Sequence, residues 1–230
     1  MTKEIKTRYE RNMNALSERD ILKLHRAKVC IVGVGGLGGY VTEILARIGV
    51  LNITIVDYDV FEASNLNRQL FSEESLIGSY KVDAAIKRIV KVNSDVKVSG
   101  IKDKLTGDNG PEILHGHDIV IDALDSIQTR IMLAEVCAKL GIPLVHGSIA
   151  GWYGQVACVF PGDDTLQKIY GGVKTDRGIE KNLGNLPFTA SAVASVQCGE
   201  CVKILTGKDV SQNSVLRIDL LNGEFHTIQV

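Results

Sequence analysis

The segment CIVGVGGLGG, residues 30–39, carries glycines at a spacing that binds phosphate groups. Gly33, Gly35 and Gly38 form GxGxxG directly after a β-branched run and at the start of a helical pattern. Such a turn brings a phosphate to the helix N-terminus, where free N–H groups and the helix dipole attract an anion. Asp57 ends the next apolar run, about twenty residues further on, where a carboxylate accepts hydrogen bonds from the ribose hydroxyls. These residues predict a nucleotide site rather than glycines that serve only close helix–strand packing.

Two cations and a carboxylate further along the chain indicate which nucleotide is bound. Arg68 lies in SNLNRQLF (residues 64–71), Lys81 begins a helical pattern, and Asp125 follows a strand-like run in VIDALDS. Positive side chains beside a phosphate loop suit a triphosphate, whose transition state spreads negative charge over several oxygens. A carboxylate at the end of a strand can hold Mg²⁺ together with phosphate oxygens and water. We therefore expect ATP, Mg²⁺ held by Asp125, and nucleotidyl transfer, with an NAD-dependent dehydrogenase as the weakest alternative.

The elements that must position these residues alternate along the chain up to Gly147. Short β-branched runs are followed by longer patterns with apolar residues at three- and four-residue spacing, which predicts a parallel sheet flanked by helices. The predicted strands are residues 28–32, 52–56, 96–101, 118–122 and 143–146, and the predicted helices are residues 37–48, 78–93 and 126–140.

The pattern changes after Gly147. GWYGQVACVF and SVLRIDLLNGEFHTIQV read as strands joined by tight connections, the second pair turning at Asn222 and Gly223, with a helix near residues 188–205. The predicted fold is α/β: a Rossmann-like, doubly wound sheet, parallel in the N-terminal half and mixed or antiparallel in the C-terminal half. We expect a single domain over residues 1–230, comprising an N-terminal helical arm (1–26) and a long, mobile crossover loop (161–186).

The composition of the chain argues against nucleic-acid and membrane partners. The 230 residues include 26 Lys and Arg against 27 Asp and Glu, a net charge of −1, so no bulk field attracts nucleic acid or an anionic membrane. No apolar run approaches the roughly 20 residues that span a bilayer, and the charged N-terminal segment lacks the apolar core of a signal peptide. Five irregularly spaced cysteines indicate reduced thiols. These features predict a cytoplasmic protein without nucleic-acid or membrane partners.

Eight segments along the chain share a pattern with one known family. In order they are RYERNMNAL, VGVGGLGG, VDYD, SNLNRQ, GSYKV, DALDS, HGSIAGWYGQV and ASVQCGECVKIL. Together they resemble the ubiquitin-activating-like adenylyltransferases of the HesA/MoeB/ThiF type, and the resemblance covers essentially the whole chain. It implies ATP- and Mg²⁺-dependent adenylation of the C-terminal Gly-Gly carboxylate of a small ubiquitin-like (β-grasp) sulfur-carrier protein, in thiamine, molybdopterin or related sulfur-transfer synthesis.

The same resemblance implies a role for individual positions. It places glycines beneath the phosphates, one carboxylate on the ribose and another on Mg²⁺, and polar or basic side chains on the phosphates. Gly35 and Gly36 would lie beneath the phosphates, Asp57 would bind the ribose and Asp125 would bind Mg²⁺. The side chains that would contact the phosphates are Asn65, Arg68, Gln69 and Lys81, with Lys81 at the α- or β-phosphate.

The N-terminal arm resembles the family's arm, in which the second arginine of RYxR reaches the partner subunit's nucleotide site. The resemblance therefore implies a homodimer in which Arg11 acts in trans, in the manner of an arginine finger. Charge content alone favours a different interpretation, in which Arg8 and Arg11 pair with Glu4 or Glu10 on a solvated helix. The motif match favours the first interpretation for Arg11.

Cysteine and histidine positions depart from the family pattern. Many members hold zinc with two CxxC pairs, whereas here Cys198 and Cys201 form one pair inside a helical pattern and the crossover has no cysteine. We therefore expect no zinc, and we expect the chain to stop at the adenylate or to pass it to another protein. A role for the Cys198–Cys201 pair stays open, and none of the five histidines is assigned one.

Three other functions remain as alternatives. The acceptor carboxylate could belong to a tRNA, as in threonylcarbamoyl-adenosine dehydratases, although the near-neutral charge opposes this. It could belong to a peptide, as in microcin-type enzymes. A noncatalytic nucleotide-binding subunit would have lost its phosphate ligands, yet Arg68, Lys81 and Asp125 are all present.

Overall fold

The computed structural model describes residues 6–173, 176 and 180–230. Its strands form one eight-stranded sheet in the order β3-β2-β1-β4-β5-β6-β7-β8. Their bounds are β1 Lys28–Val32, β2 Asn52–Val56, β3 Lys97–Ile101, β4 Ile119–Asp122, β5 Leu144–Ala150, β6 Tyr153–Val159, β7 Ser214–Asp219 and β8 Glu224–Gln229.

Helices connect most of these strands. In the described part of the chain, short 3₁₀ helices also occur at Thr7–Asn12, Ala63–Asn65 and Glu74–Leu76. The α-helices are α1 Glu18–Arg26, α2 Gly36–Ile48, α3 Lys81–Val92, α4 Gly110–Leu114, α5 Ile127–Leu140, α6 Thr165–Tyr170, α7 Glu180–Leu183 and α8 Pro187–Thr206.

The first five strands are parallel, and the strand order reverses between β1 and β4. In register, Val32 of β1 lies beside Val56 of β2 on one side and Asp122 of β4 on the other. Doubly wound sheets bind ligands in the crevice at such a switch point, outside the carboxyl ends of the strands. From β5 onward the pairings are antiparallel. The predicted fold class is therefore confirmed.

Two hydrophobic cores cover the sheet. Along β1, Val29 and Ile31 face the core beneath α2, α3 and α8, while Cys30 and Val32 face the core beneath α4, α5 and α6. A central parallel strand buried on both faces reads as a continuous apolar run, which is why KVCIV identified β1 without alternation. Among the described residues, no helix has the length and apolar character needed to cross a membrane.

The N-terminal arm is a 3₁₀ helix followed by α1, and residues 1–5 lie outside the described part. Ser17 begins α1 with a capping box, in which its hydroxyl accepts from Asp20 N and the Asp20 carboxylate accepts from Ser17 N. Tyr9 is buried, and its hydroxyl accepts from Asn93 Nδ2 at 2.9 Å. The contact between Tyr9 and Asn93 fastens the arm to the end of α3.

Several predicted segments differ from the structure; strand β5, for example, ends at Ala150 rather than at residue 146. Helix α3 begins at Lys81 rather than at residue 78, because Tyr80 is extended and bridges Val60, while Gly78 has a left-handed φ of 85°. The predicted crossover contains α6, whose Tyr170 is buried against the sheet, so this part is not an unstructured connector. The expectation of mobility for residues 174–175 and 177–179 lies outside the described residues.

A substitution at Gly38 tests the close packing between α2 and the turn after β1. A Cβ at Gly38 would lie 1.8 Å from Gly33 O, a backbone atom that cannot rotate away. We expect Gly38→Ala to lower the free energy of unfolding by about 3 kcal/mol, measured by denaturant titration.

Gly199→Ala is the matched control, because Gly199 lies inside α8 with no heavy atom within 4 Å of the added Cβ. Alanine should raise the stability there by about 0.5–1 kcal/mol, since it loses less backbone entropy on folding than glycine does. Equal effects at the two positions would contradict the packing argument.

Candidate active site

The loop between β1 and α2 is shaped to receive a phosphate. Gly33 adopts φ 94°, and a Cβ there would lie 2.7 Å from Ala123 O. Gly35 and Gly36 instead face side chains, those of Gln69 and Arg68 among them, which would lie 3.6 Å or more from an added Cβ. The loop therefore presents bare backbone at the N-terminus of α2, the geometry that attracts an anion.

Asp57 joins the end of β2 to this loop. Its Oδ2 accepts from Val34 N at 2.7 Å and its Oδ1 accepts from Asp59 N at 2.8 Å. Burial raises the pKa of Asp57, while the neighbouring Lys81 and the two backbone N–H groups act in the opposite direction. Each oxygen accepts one bond here and can accept another, so the ribose contact predicted from sequence stays compatible with this arrangement.

Lys81 places a buried positive charge beside Asp57. It is the first residue of α3, its side chain is 7% exposed, and its Nζ lies 3.0 Å from Asp59 Oδ2. A buried ammonium group is costly unless it is paired. The pair with Asp59 therefore keeps a cation at the carboxyl edge of the sheet, next to the phosphate loop.

Arg68 covers the open face of the loop. Its Cγ would lie 3.6 Å from a Cβ at Gly36, while its Nη1 donates to Ser64 O and Asn67 Oδ1 at 2.9 and 3.0 Å. Nη2 and Nε have no acceptor among the described residues. The aliphatic part of the side chain thus lies over the loop, and guanidinium donors remain for a ligand.

Gln69 leaves a buried acceptor unsatisfied at the same place. Its Nε2 lies 3.7 Å from the Cβ position of Gly35, the residue is buried, and its Oε1 has no partner among the described residues. A buried polar atom without a hydrogen bond is destabilising, and a ligand or its water could supply the missing donor. The residues present therefore fit a nucleotide.

Asn65 organises the turn that carries these two side chains. Its backbone O accepts from the amides of Arg68 and Gln69, and its Oδ1 accepts from Glu62 N at 3.1 Å. The side chain is thus engaged within its own turn, and its predicted phosphate contact stays a prediction.

Asp125 lies on the turn after β4, which packs against the phosphate loop. Ala123 N donates to Val32 O at 3.0 Å, and α5 begins at Ile127 with Ser126 as its N-cap. The exposed Asp125 carboxylate lies on this turn at the carboxyl edge of the sheet. A single exposed carboxylate near a phosphate loop fits Mg²⁺, which takes few protein ligands and keeps water and phosphate oxygens.

Arg11 lies far from the phosphate loop of its own chain. The neighbouring Asn12 donates from Nδ2 to Ile48 O at 3.3 Å, which fixes the arm to the last turn of α2. The phosphate loop lies at the opposite end of this 13-residue helix, about 20 Å away at 1.5 Å per residue. Arg11 is exposed and cannot reach the site of its own chain.

A buried polar network that the sequence did not reveal lies beneath the Asp125 turn. His146 is fully buried, its Nδ1 lies 2.7 Å from Asp122 Oδ2, and its Nε2 lies 3.1 Å from Tyr170 Oη. Burial lowers the pKa of His146, although Asp122 opposes the shift. These contacts fit a neutral imidazole that donates from Nδ1 and accepts at Nε2.

Tyr170 is the centre of this network. Its hydroxyl oxygen accepts from Arg130 Nη1 and Gln155 Nε2, both at 2.8 Å. Arg130 is itself buried, and its Nε donates to Leu124 O at 3.1 Å. No spacing in the sequence links residues this far apart, and only the polar His146 at the end of an apolar run marked the network.

The cysteine pair lies in the core. Cys198 and Cys201 are buried in α8, and burial raises the pKa of both thiols, which makes them poor nucleophiles and poor metal ligands. Among the described residues, no three side chains of Cys, His, Asp or Glu converge on a possible metal position. The expectation that zinc is absent stays a prediction.

A phosphate loop at the switch point of a doubly wound sheet places the chain among the nucleotide-binding α/β proteins. Within that class it belongs to the ThiF family, whose family model matches residues 9–230. The resemblance found in the sequence is thereby confirmed.

Curated relatives include three with adenylation or activation in their names. The adenylyltransferase and sulfurtransferase MOCS3 of Culex quinquefasciatus is 36% identical over 97% of this chain and 52% of its own length. The SAMP-activating enzyme E1 of Haloferax volcanii is 32% identical, and the match covers 90% of this chain and 77% of that enzyme. The sulfur carrier protein ThiS adenylyltransferase of Bacillus subtilis is 33% identical, and the match covers 81% of this chain and 56% of that enzyme. The chain thus spans about half the length of the MOCS3 relatives it matches.

Solved structures show the same fold. E. coli MccB with AMPCPP and MccA superposes with a TM-score of 0.80 at 22% identity, covering 97% of this chain and 71% of that one. E. coli MccB with MccA superposes with a TM-score of 0.82 at 20% identity, and the match covers 99% of this chain and 72% of that one. At this identity the likeness establishes the architecture only.

Tyr170→Phe tests the buried network. The substitution removes the acceptor for Nη1 of the buried Arg130 and for Nε2 of the half-buried Gln155. The free energy of unfolding should therefore fall by about 1–3 kcal/mol in denaturant titration. Tyr153→Phe is the control, because that ring is 40% exposed, and it should change stability by less than about 0.5 kcal/mol. Similar losses for both variants would contradict the network's role.

Proposed function

We propose that the chain is an ATP- and Mg²⁺-dependent adenylyltransferase that activates the C-terminal Gly-Gly carboxylate of a small ubiquitin-like sulfur-carrier protein. The observation that carries the proposal is the glycine backbone at positions 35 and 36, which is lined by Arg68 and by Gln69, whose buried Oε1 has no partner among the described residues. A dinucleotide's pyrophosphate rarely needs two cations, whereas Arg68 and Lys81 together suit a triphosphate.

The reaction needs positioning and charge stabilisation rather than a general base. A C-terminal carboxylate is ionised at neutral pH, so its oxygen attacks the α-phosphorus directly, and the bond from that phosphorus to the bridging oxygen of the β-phosphate breaks. Pyrophosphate carries the electron pair away, and donors from Arg68 and Lys81 stabilise its growing charge. Asp125 would hold Mg²⁺, which when bound neutralises phosphate oxygens.

The names of the relatives favour a sulfur carrier as the acceptor. A ThiS adenylyltransferase, a SAMP-activating enzyme and MOCS3 sequences each exceed 30% identity, whereas the MccB structures lie near 20%. This difference supports a protein carrier over a peptide. Both the thiamine and the molybdopterin pathways are represented among the names, so the carrier is proposed as a class.

An aromatic surface near the site supports a protein acceptor. The rings of Trp152 and Phe188 lie 4.7 Å apart and are 41% and 42% exposed. Phe188 lies at the start of α8, close to Asn185, whose carbonyl accepts from Asn67 in the phosphate-binding turn. Exposed aromatic residues are enriched where proteins bind one another. We propose that this pair contacts the carrier beside the path of its C-terminal tail.

ATP–pyrophosphate exchange with purified carriers that end in Gly-Gly tests this function. Arg68→Ala should lower kcat/KM by about 100-fold, which corresponds to a loss of about 3 kcal/mol of transition-state stabilisation. The melting temperature should stay near the wild-type value, because the guanidinium donates only to acceptors of its own turn.

Arg26→Ala is the matched control for a lost surface arginine, because Arg26 is exposed at the end of α1. It should exchange at the wild-type rate. Wild-type protein that binds ATP but exchanges with none of the carriers would favour the noncatalytic nucleotide-binding subunit instead.

We further propose that the chain forms a homodimer in which Arg11 completes the partner's site. The support is the anchoring of Asn12 at Ile48, at the far end of α2 from the phosphate loop of the same chain. An arginine supplied in trans stabilises transferring phosphoryl groups in other enzymes.

Mixing two inactive variants tests this arrangement. Coexpressed Arg11→Ala and Arg68→Ala chains should recover about a quarter of the wild-type activity, because about half of the dimers are mixed and each mixed dimer holds one complete site of two. Each variant expressed alone is the control. Absence of recovery in mixed dimers that are verified by differential tags would exclude action in trans.

A further inference from the structure

The turn that carries Asp125 is held by residues of the distant segment between β6 and α8. Asp176 Oδ1 accepts from Ser126 Oγ at 2.6 Å and from Gln128 N at 3.1 Å, and Asp176 O accepts from Ile127 N at 2.8 Å. One residue thus binds three consecutive positions at the start of α5, directly after Asp125.

The same turn is held from its other side by Tyr170 of α6. Tyr170 Oη contacts His146, which binds Asp122 at the end of β4, and it accepts from Arg130, which binds Leu124 O. Tyr170 therefore connects to residues on both sides of position 123, whereas Asp176 connects to the residues after position 125.

Asp176 completes the capping of α5 from outside the helix. The Ser126 hydroxyl accepts one amide of the first turn, at 3.2 Å, and so satisfies one of the four amides that a helix N-terminus leaves without a partner. Asp176 accepts two more of them, those of Ile127 and Gln128, and it also binds the cap hydroxyl. A residue of a distant segment thus fixes where the cap and the preceding Asp125 lie.

We propose that Tyr170 and Asp176 are positioning residues for Asp125, which fix the turn so that its carboxylate meets the metal on ATP. This inference rests on the proposed function. It also assigns a purpose to these two described residues of the segment between β6 and α8, which is to hold the Asp125 turn.

The test measures binding rather than turnover. Calorimetry with a nonhydrolysable ATP analogue, with and without Mg²⁺, gives the factor by which Mg²⁺ tightens binding. Asp125→Ala should abolish this factor, and Asp176→Ala should reduce it by about threefold or more while binding without Mg²⁺ stays within about twofold. Asp176→Asn should restore most of the factor, because its amide oxygen still accepts from Ser126 Oγ and Gln128 N.

The double variant decides whether Asp176 acts through Asp125. If it does, Asp125→Ala with Asp176→Ala should match Asp125→Ala alone within about twofold. Asp164→Ala is the control, because Asp164 is an exposed carboxylate of the same segment that pairs only with Lys168 among the described residues. It should match wild type. Asp176→Ser replaces the alanine variant if that variant does not fold.

An unchanged Mg²⁺ factor in folded Asp176→Ala protein would overturn the inference, as would losses that multiply in the double variant. Wild-type binding that does not respond to Mg²⁺ would also overturn it. Mg²⁺-dependent binding without pyrophosphate exchange would reject the proposed acceptor and leave the positioning role supported, so the two failures are distinguishable.

Discussion

The close approach of the turns after β1 and β4 is the constraint on which the rest of the site depends. Gly33 can lie against Ala123 only because it has no side chain, and the amide of Ala123 donates back to Val32 O at 3.0 Å. A methyl group at position 33 would push the turns apart. This contact sets the turn that carries Asp125 beside the loop after β1, although Gly35 and Asp125 are 90 residues apart in the sequence.

Around this crevice, charge is arranged before any nucleotide arrives. Lys81 is buried between two carboxylates, and Asp57 is held by backbone amides although burial raises its pKa. Fixing charged groups in this way costs folding free energy, as does the unsatisfied Gln69 Oε1. Because these groups are already in place, little reorganisation is needed when negative charge develops on the phosphates. The site is thus the part of the protein in which local stability is given up for binding.

The sequence predicted this arrangement unevenly, for physical reasons. Strands β1 and β2 were predicted to the residue, because buried parallel strands are continuous apolar runs bounded by Gly or polar residues. The glycine loop, Asp57 and the two cations could be proposed as site residues from the sequence because local spacing carries their chemistry. The start of α3 was misplaced, since tertiary pairing of Tyr80 with Val60 overrides the helical pattern.

The network around Tyr170 escaped prediction altogether. Hydrogen bonds among Asp122, His146 and Tyr170 join three elements whose separation in the chain follows no rule of spacing. Each member satisfies groups of the others in a closed interior, so no member is independently replaceable. Across the family, these positions should therefore vary together: a relative that lacks the tyrosine should also have exchanged the buried arginine and histidine, or should have admitted an ordered water in place of the hydroxyl.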